Sequence, residues 1–173
     1  MPVTRTVHRA LPADAGLMAA IHASCFAAPS DRPWDEAAMA QFIAAPGVLC
    51  LLGAATHVVA APAGLLIARR AADEAELLTF GVTPACRRAG LGRALLTKAL
   101  EDLRASGAGR LFLEVDESNA AAIALYRSLG ATPVGHRPGY YESGADAAIF
   151  SLALSDRPSD DGPIADEPHE DQR

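Results

Sequence analysis

Residues 76 to 106 constrain the fold more tightly than any other part of the chain. Glu76 to Val82 is an apolar stretch that predicts a strand, and Leu91 opens an amphipathic stretch that predicts a helix running to about Ser106. Leu96, Leu100 and Leu103 share one face of that helix, and Gly107 is placed to cap its C-terminus. Between strand and helix lies Arg87-Arg88-Ala89-Gly90-Leu91-Gly92. Bare backbone at such a junction serves a tight turn, a helix cap or a cradle for phosphate. The cradle has a physical basis. The first turn of a helix offers unpaired N–H groups and a partial positive charge, glycine lets a bulky anion approach the backbone, and Arg87, Arg88 and Arg93 add guanidinium groups suited to phosphate oxygens.

Two other phosphate motifs are excluded. A dinucleotide fingerprint needs a third glycine where Leu95 stands, and no Gly-Lys-Ser/Thr ending of a P-loop is present.

The rest of the body alternates between helical and strand periodicity. Val3 to Ala10 predicts an opening strand. Pro12-Ala13-Asp14 starts a helix with Leu17, Met18, Ile21 and Cys25 on one face, and a second helix spans about Asp35 to Ala44 with Met39, Phe42 and Ile43 apolar. Val48 to Leu52 and Val58 to Ala68 predict strands joined by a turn over Gly53 to His57, with Pro62 marking a bulge or an edge. Leu111, Leu113 and Val115 alternate with polar and aromatic neighbours as a strand does. Ser118 or Asn119 then caps a helix that carries Ala122, Leu125, Tyr126 and Leu129 on one face and ends at Gly130. Thr132 to His136 and Ala147 to Leu154 supply two last strands. The order predicts an α/β fold around one central sheet.

Charge separates the C-terminus from the body. Seven acids and two arginines give residues 155–173 a charge of −5, which leaves −1 of the total −6 for residues 1–154. The tail is proline-rich and almost without apolar residues, a composition that predicts disorder. The expected organisation is one domain over 1–154 and an acidic tail over 155–173. A near-neutral body argues against nucleic-acid binding, and no apolar run reaches the length of a membrane span. Cys25, Cys50 and Cys86 form no C-x-x-C pair, so no metal site is expected and free thiols in a cytoplasmic protein are.

The motifs resemble those of a known family. Arg87-Arg88-Ala89-Gly90-Leu91-Gly92 is similar to the Arg/Gln-x-x-Gly-x-Gly/Ala signature of the GNAT superfamily of acyl-CoA N-acyltransferases. "LLTFGVTPACRRAGLGRALL", "LFLEVDESNAAAIALYRSLGA" and "PGYY" resemble, in order and spacing, the RimI-type protein N-terminal acetyltransferases. The likeness is strong from about residue 76 to 141 and fainter at Pro33-Trp34. It departs in two places. The loop before Trp34 carries the extra "APSDR", and Ala145-Asp146-Ala147 stands where the family has Glu-Asp-Ala.

The resemblance implies a twisted mixed sheet whose central parallel strands, Glu76 to Val82 and Leu111 to Asp116, splay apart to admit acetyl-CoA. The pyrophosphate would meet the backbone of Arg88, Ala89, Gly90, Leu91, Gly92 and Arg93, beside Arg87. Phe80 and Val82 would pair with the pantetheine through their backbones, with the Val82 N–H as oxyanion donor, and Asn119 would bond the pantetheine arm while capping its helix.

Acetyl transfer to an amine needs a base, because an α-amino group with a pKa of about 8 is mostly protonated at neutral pH. Glu114 matches the family's general base, and partial burial would raise its pKa toward the working pH. Strand spacing alone favours a solvent-facing residue, and the resemblance reverses that reading. Tyr126 matches the proposed acid for the leaving thiolate, where its position alone reads as core packing. Trp34, Tyr140 and Tyr141 would line the acceptor groove.

The reaction is expected as direct attack in a ternary complex. The acceptor is a protein N-terminus, such as that of an alanine-initiated ribosomal protein, or else a small amine such as an amino acid, polyamine or antibiotic. A non-catalytic acyl-CoA-binding module is the reading from another class, which the presence of both Glu114 and Tyr126 opposes. Monomer and homodimer both remain open.

Overall fold

The computed structural model describes residues 4–27, 32–55, 61–141 and 144–154. The acidic tail, Val58 and Val59 of an expected strand, and most of the "APSDR" loop lie outside them. The elements run β1 (Arg5–Arg9), α1 (Ala15–Cys25), α2 (Glu36–Ala44), β2 (Val48–Ala55), β3 (Gly64–Ala71), β4 (Glu74–Val82), α3 (Leu91–Ala105), β5 (Arg110–Asp116), α4 (Ala120–Ser128), β6 (Thr132–Arg137) and β7 (Ala147–Ala153). They build one seven-stranded mixed sheet in the order β1-β2-β3-β4-β5-β7-β6. This is the α/β sheet fold that the sequence predicts.

Alternation along the strands feeds two apolar cores on opposite faces of the sheet. Leu51, Leu66 and Ala68 point to the core built with α3, while their neighbours Cys50, Leu52, Leu65 and Ile67 point to the core built with Met18 and Ile21 of α1 and Met39 of α2. A central strand covered on both faces reads as one unbroken apolar run, as Val48–Ala55 does. Helix α3 buries Leu91, Leu95, Leu96, Ala99, Leu100 and Leu103, each leucine contributing roughly 1.5–3 kcal/mol of burial. It can approach closely because β2 and β3 present glycine there. A Cβ on Gly53 would sit 2.9 Å from Leu91 Cδ1, and one on Gly64 would sit 2.9 Å from Leu95 Cδ1.

Three local expectations are corrected. β3 starts at Gly64 and continues through Arg69 and Arg70 to Ala71, so Pro62 precedes the strand instead of bulging it. Its polar end stays in the sheet because Arg69 is in register with Glu76 on β4 and ion-paired to it. β4 correspondingly starts at Glu74, and the turn falls on Ala72 and Asp73. Leu17, expected on the buried face of α1, is 37% exposed.

One feature of the sheet positions everything that follows. β4 and β5 are parallel and pair only at Glu74 with Arg110, Ala75 with Leu111 and Glu76 with Phe112. Beyond Glu76 the strands diverge, and β5 keeps its other partner, β7, along its whole length.

Candidate active site

Divergence of β4 and β5 leaves backbone groups of β4 without a ladder partner. Thr83 N–H donates to Ala63 O at 2.8 Å, so the alternation of an antiparallel pair turns Gly81 toward β3 and Phe80 and Val82 toward the gap. Val82 O is reached there by Arg87 Nε at 3.1 Å.

The turn into α3 has the same character. Gly90 is the N-cap at φ +77° with no side-chain cap, and Arg88 also takes a left-handed φ of +64°. Among the described residues, none of the backbone N–H groups of residues 88 to 93 donates to a protein acceptor, and the first α3 amide that does is Ala94, to Gly90 O at 3.1 Å. All of residues 88 to 93 but Ala89 border a cavity of about 520 Å³ whose walls also include Phe80, Val82, Arg87, Asn119 and Tyr126. Gly92 keeps the cavity open, since a Cβ there would stand 3.1 Å from Phe80 Cζ. Ala89 is not on the wall. Its carbonyl accepts Arg5 Nε from β1 at 2.6 Å, which braces the turn from behind. Arg93 is held to the side by its bond to Ser128 Oγ at 2.7 Å. Asn119 caps α4 by accepting the Ala122 N–H at 3.1 Å.

Tyr126 on α4 is 4% exposed, with its ring 6.4 Å from that of Phe80. Burial, and secondarily the nearby Tyr141 phenol, pushes its hydroxyl well above the usual tyrosine range. It therefore remains a protonated hydrogen-bond donor at neutral pH.

A second cavity of about 520 Å³ opens beside β5, with Glu114, Tyr140 and Tyr141 in its wall together with Glu76, Phe112, Arg137 and Ile149. The Glu114 side chain is 27% exposed, and Oε1 lies 3.1 Å from Arg137 Nη1. The Glu114 carboxylate also acts on Tyr140, whose pKa it raises. Tyr141, half-buried, is pushed up to about 12, mainly by burial and then by Asp116, Glu114 and Tyr140.

The turn carrying both tyrosines is pinned at its base. His136 Nε2 sits 3.2 Å from Glu117 and 3.3 Å from Asp146, and Asp146 also accepts the Gly139 N–H at 2.7 Å.

The structure thus gathers Tyr126 and nine of the ten residues expected to hold a cofactor around one cavity, and Glu114, Tyr140 and Tyr141 around another. Trp34 joins neither. It stacks on His22 at 5.1 Å, packs against Phe42 at 4.7 Å and belongs to the core under α1 and α2. Arg137 and Arg5, which sequence reasoning passed over, touch the residues that matter. Both are charged residues of exposed edge strands, a pattern that reads as simple solvation.

The acetyltransferase (GNAT) family model matches residues 17–131. The chain belongs to the GNAT family. Its GNAT relatives include the N-alpha-acetyltransferase RimI of Mycobacterium tuberculosis, 39% identical over 137 residues, which are 78% of this chain and 84% of that one. The [ribosomal protein bS18]-alanine N-acetyltransferase of Escherichia coli is 46% identical over 86 residues, 48% of this chain. That alignment spans 58% of the Escherichia coli protein's length. The crystal structure of the ribosomal-protein-S18-alanine N-acetyltransferase from Escherichia coli superposes with a TM-score of 0.77 at 32% identity, covering 91% of this chain and 98% of that one.

Proposed function

We propose that this protein transfers the acetyl group of acetyl-CoA to the N-terminal α-amine of a protein, with an alanine-initiated ribosomal protein as the favoured acceptor. One observation carries the reading: the turn at residues 88 to 93, whose amides donate to no acceptor among the described residues, and the Glu114 carboxylate border two cavities that share β4 as a wall. The RimI-type relatives support the choice of acceptor.

The residues present fit acetyl-CoA. A diphosphate needs several N–H donors and positive charge, which the α3 turn, Arg87 and Arg88 offer, and Gly92 leaves room for a chain to pass Phe80. Bound there, acetyl-CoA supplies an activated thioester carbonyl. Phe80 and Val82 present their backbone groups to the gap as an edge strand does, and the Val82 N–H is available to the carbonyl oxygen as negative charge develops on it.

Glu114 accepts a proton from the α-ammonium, directly or through one water, so that a neutral amine attacks. Tyr126 holds its proton at neutral pH and delivers it to the departing sulfur. The Glu114 carboxylate in the acceptor cavity wall favours a cationic group such as an α-ammonium. A ribosomal acceptor and a CoA donor together place the reaction in the cytoplasm. Among the described residues no helix is long and apolar enough to cross a membrane.

The test is a mass-spectrometric assay of the purified protein with acetyl-CoA and a panel of synthetic peptides differing in their first residue, run beside amino acids, polyamines and aminoglycosides. The reading expects acetyl on the α-amine of alanine-initiated peptides. Acetyl on a small amine with every peptide untouched contradicts it.

A further inference from the structure

The Glu114 carboxylate is held from a different part of the chain than the strand that bears it. Glu114, Ile149 and Gly135 are in register across β5, β7 and β6, and Arg137 lies two residues further along β6 on the same face. Its guanidinium reaches back over β7 to put Nη1 3.1 Å from Glu114 Oε1. The same guanidinium lies over the Tyr140 ring, 5.4 Å from its centroid. Arg137 therefore bridges the carboxylate of Glu114 and the aromatic face of Tyr140.

The terminal torsion of a glutamate is broad and nearly two-fold, so a carboxylate in an open cavity samples many orientations. A base must hold one oxygen toward its proton to be efficient. A planar guanidinium can bond a carboxylate edge-on while its face rests on a ring, and an ammonium cannot do both.

Resting on the reading of Glu114 as the base, we propose that Arg137 is its positioning residue. Arg137, held against the Tyr140 ring, pairs with one carboxylate oxygen and fixes the orientation in which the other oxygen meets the acceptor amine. A purely structural role does not account for this residue. Its side chain is 54% exposed, at the end of a strand exposed along its whole length, so no core depends on it. An exposed ion pair of this kind contributes little to stability. Nor does the cavity need it for charge complementarity toward an ammonium group, since its cation opposes such a ligand.

The experiment is a kinetic cycle with an alanine-initiated peptide and acetyl-CoA, using Arg137→Gln, Arg137→Lys, Glu114→Gln and the Glu114→Gln/Arg137→Gln double variant. Melting temperatures establish that each variant is folded. Arg137→Gln is expected to lower kcat about tenfold or more, with peptide KM and acetyl-CoA KM changed less than about threefold. Arg137→Lys is expected to recover part of that loss, because it restores the charge without the stacking. The double variant is expected to be no slower than Glu114→Gln alone, because a residue acting through Glu114 has nothing to position once the carboxylate is gone.

Several outcomes overturn the proposal: an unchanged or raised kcat in Arg137→Gln, a rise in peptide KM alone, or a loss that adds to that of Glu114→Gln. If Glu114→Gln itself turns over normally, the base reading fails. If Glu114→Gln is slow and Arg137→Gln is not, only the role of Arg137 fails.

Discussion

Tyr126 and Glu114 belong to different cavities. Tyr126 stands with Gly92 and Asn119 in the wall on the α3–α4 side, and Glu114 with Arg137 and Tyr140 in the wall beside β5. The Glu114 cavity takes its walls from β4 and β5, and the Tyr126 cavity from the end of β4, α3 and α4. In the proposed reaction the two act on opposite ends of one transfer, Tyr126 on the leaving sulfur and Glu114 on the incoming amine. The following outcomes are expected.

Glu114→Gln removes the proton acceptor and keeps the shape. Turnover should fall by about 10²- to 10⁴-fold, as for loss of a general base. Acetyl-CoA affinity should hold within about twofold, because Glu114 is not in the wall where the cofactor is proposed to lie. Steady-state thiol release and calorimetry with acetyl-CoA measure the two quantities separately.

The buried phenols make stability fall in alkali. Tyr126 and Tyr141 are held neutral in the folded protein, Tyr141 up to about 12 and Tyr126 higher still. In the unfolded chain both ionise near pH 10. Their folded pKa values are raised, so this contribution is fully present below about pH 10 and is lost as pH rises beyond it, at about 1.4 kcal/mol per pH unit for each phenol. Thermal unfolding between pH 9.5 and 11.5, a range set by that unfolded pKa of about 10, should show a shallower decline in Tyr126→Phe than in the wild type. The same variant should have reduced turnover at neutral pH, where the wild-type phenol is protonated.

Gly90→Val acts on backbone conformation. Gly90 sits at φ +77°, where a β-branched residue is strained by roughly 1–2 kcal/mol. The first atom a Cβ would meet is Arg5 Nε at 2.8 Å, and that flexible side chain can yield, so the protein should still fold. Relief of the strain changes the backbone conformation of the turn that borders the proposed cofactor cavity. Acetyl-CoA affinity measured by calorimetry should weaken about tenfold or more, a loss of about 1.4 kcal/mol or more.

The close approach of α3 to the sheet gives a stability prediction independent of the chemistry. Leu95 is fully buried against Gly53, whose added Cβ would stand 3.1 Å from Leu95 Cγ. Leu95→Ala should cost about 2–5 kcal/mol, and Gly53→Ala should also destabilise, by roughly 1–3 kcal/mol of overpacking. The double variant should cost less than the two together, because the new methyl enters space the leucine has left. Chemical denaturation of the three proteins reads the coupling.

Much of this was legible in the sequence, for identifiable reasons. The glycine turn at residues 87 to 92 could be placed at a strand-to-helix junction because the period of the apolar residues changes across it, from an apolar strand run to Leu91, Leu95 and Leu96. The α/β sheet followed from the order of those periods. β3 was harder, because Arg69 and Arg70 look like a loop until Glu76 is found opposite Arg69. Leu17, 37% exposed, carries the right residue type on a face that stays partly open. Trp34 resembled an acceptor-side residue by position, but its stacking on His22 depends on how α1 meets the segment before α2, and no local pattern encodes that. Arg137 was invisible for a related reason. Its significance lies in reaching across β7 to Glu114, a residue 23 positions earlier in the chain, and strand register is a tertiary quantity.

In the proposed reaction the main-chain amides at the start of α3 grip the diphosphate of acetyl-CoA. Following backbone amide resonances of isotope-labelled protein during titration with acetyl-CoA tests this directly. The largest shifts should fall on residues 88 to 93, with Val82 and Asn119 responding in parallel and saturating at the same concentration. Binding that leaves the amides of residues 88 to 93 unmoved, while shifting resonances elsewhere on the sheet, would contradict it.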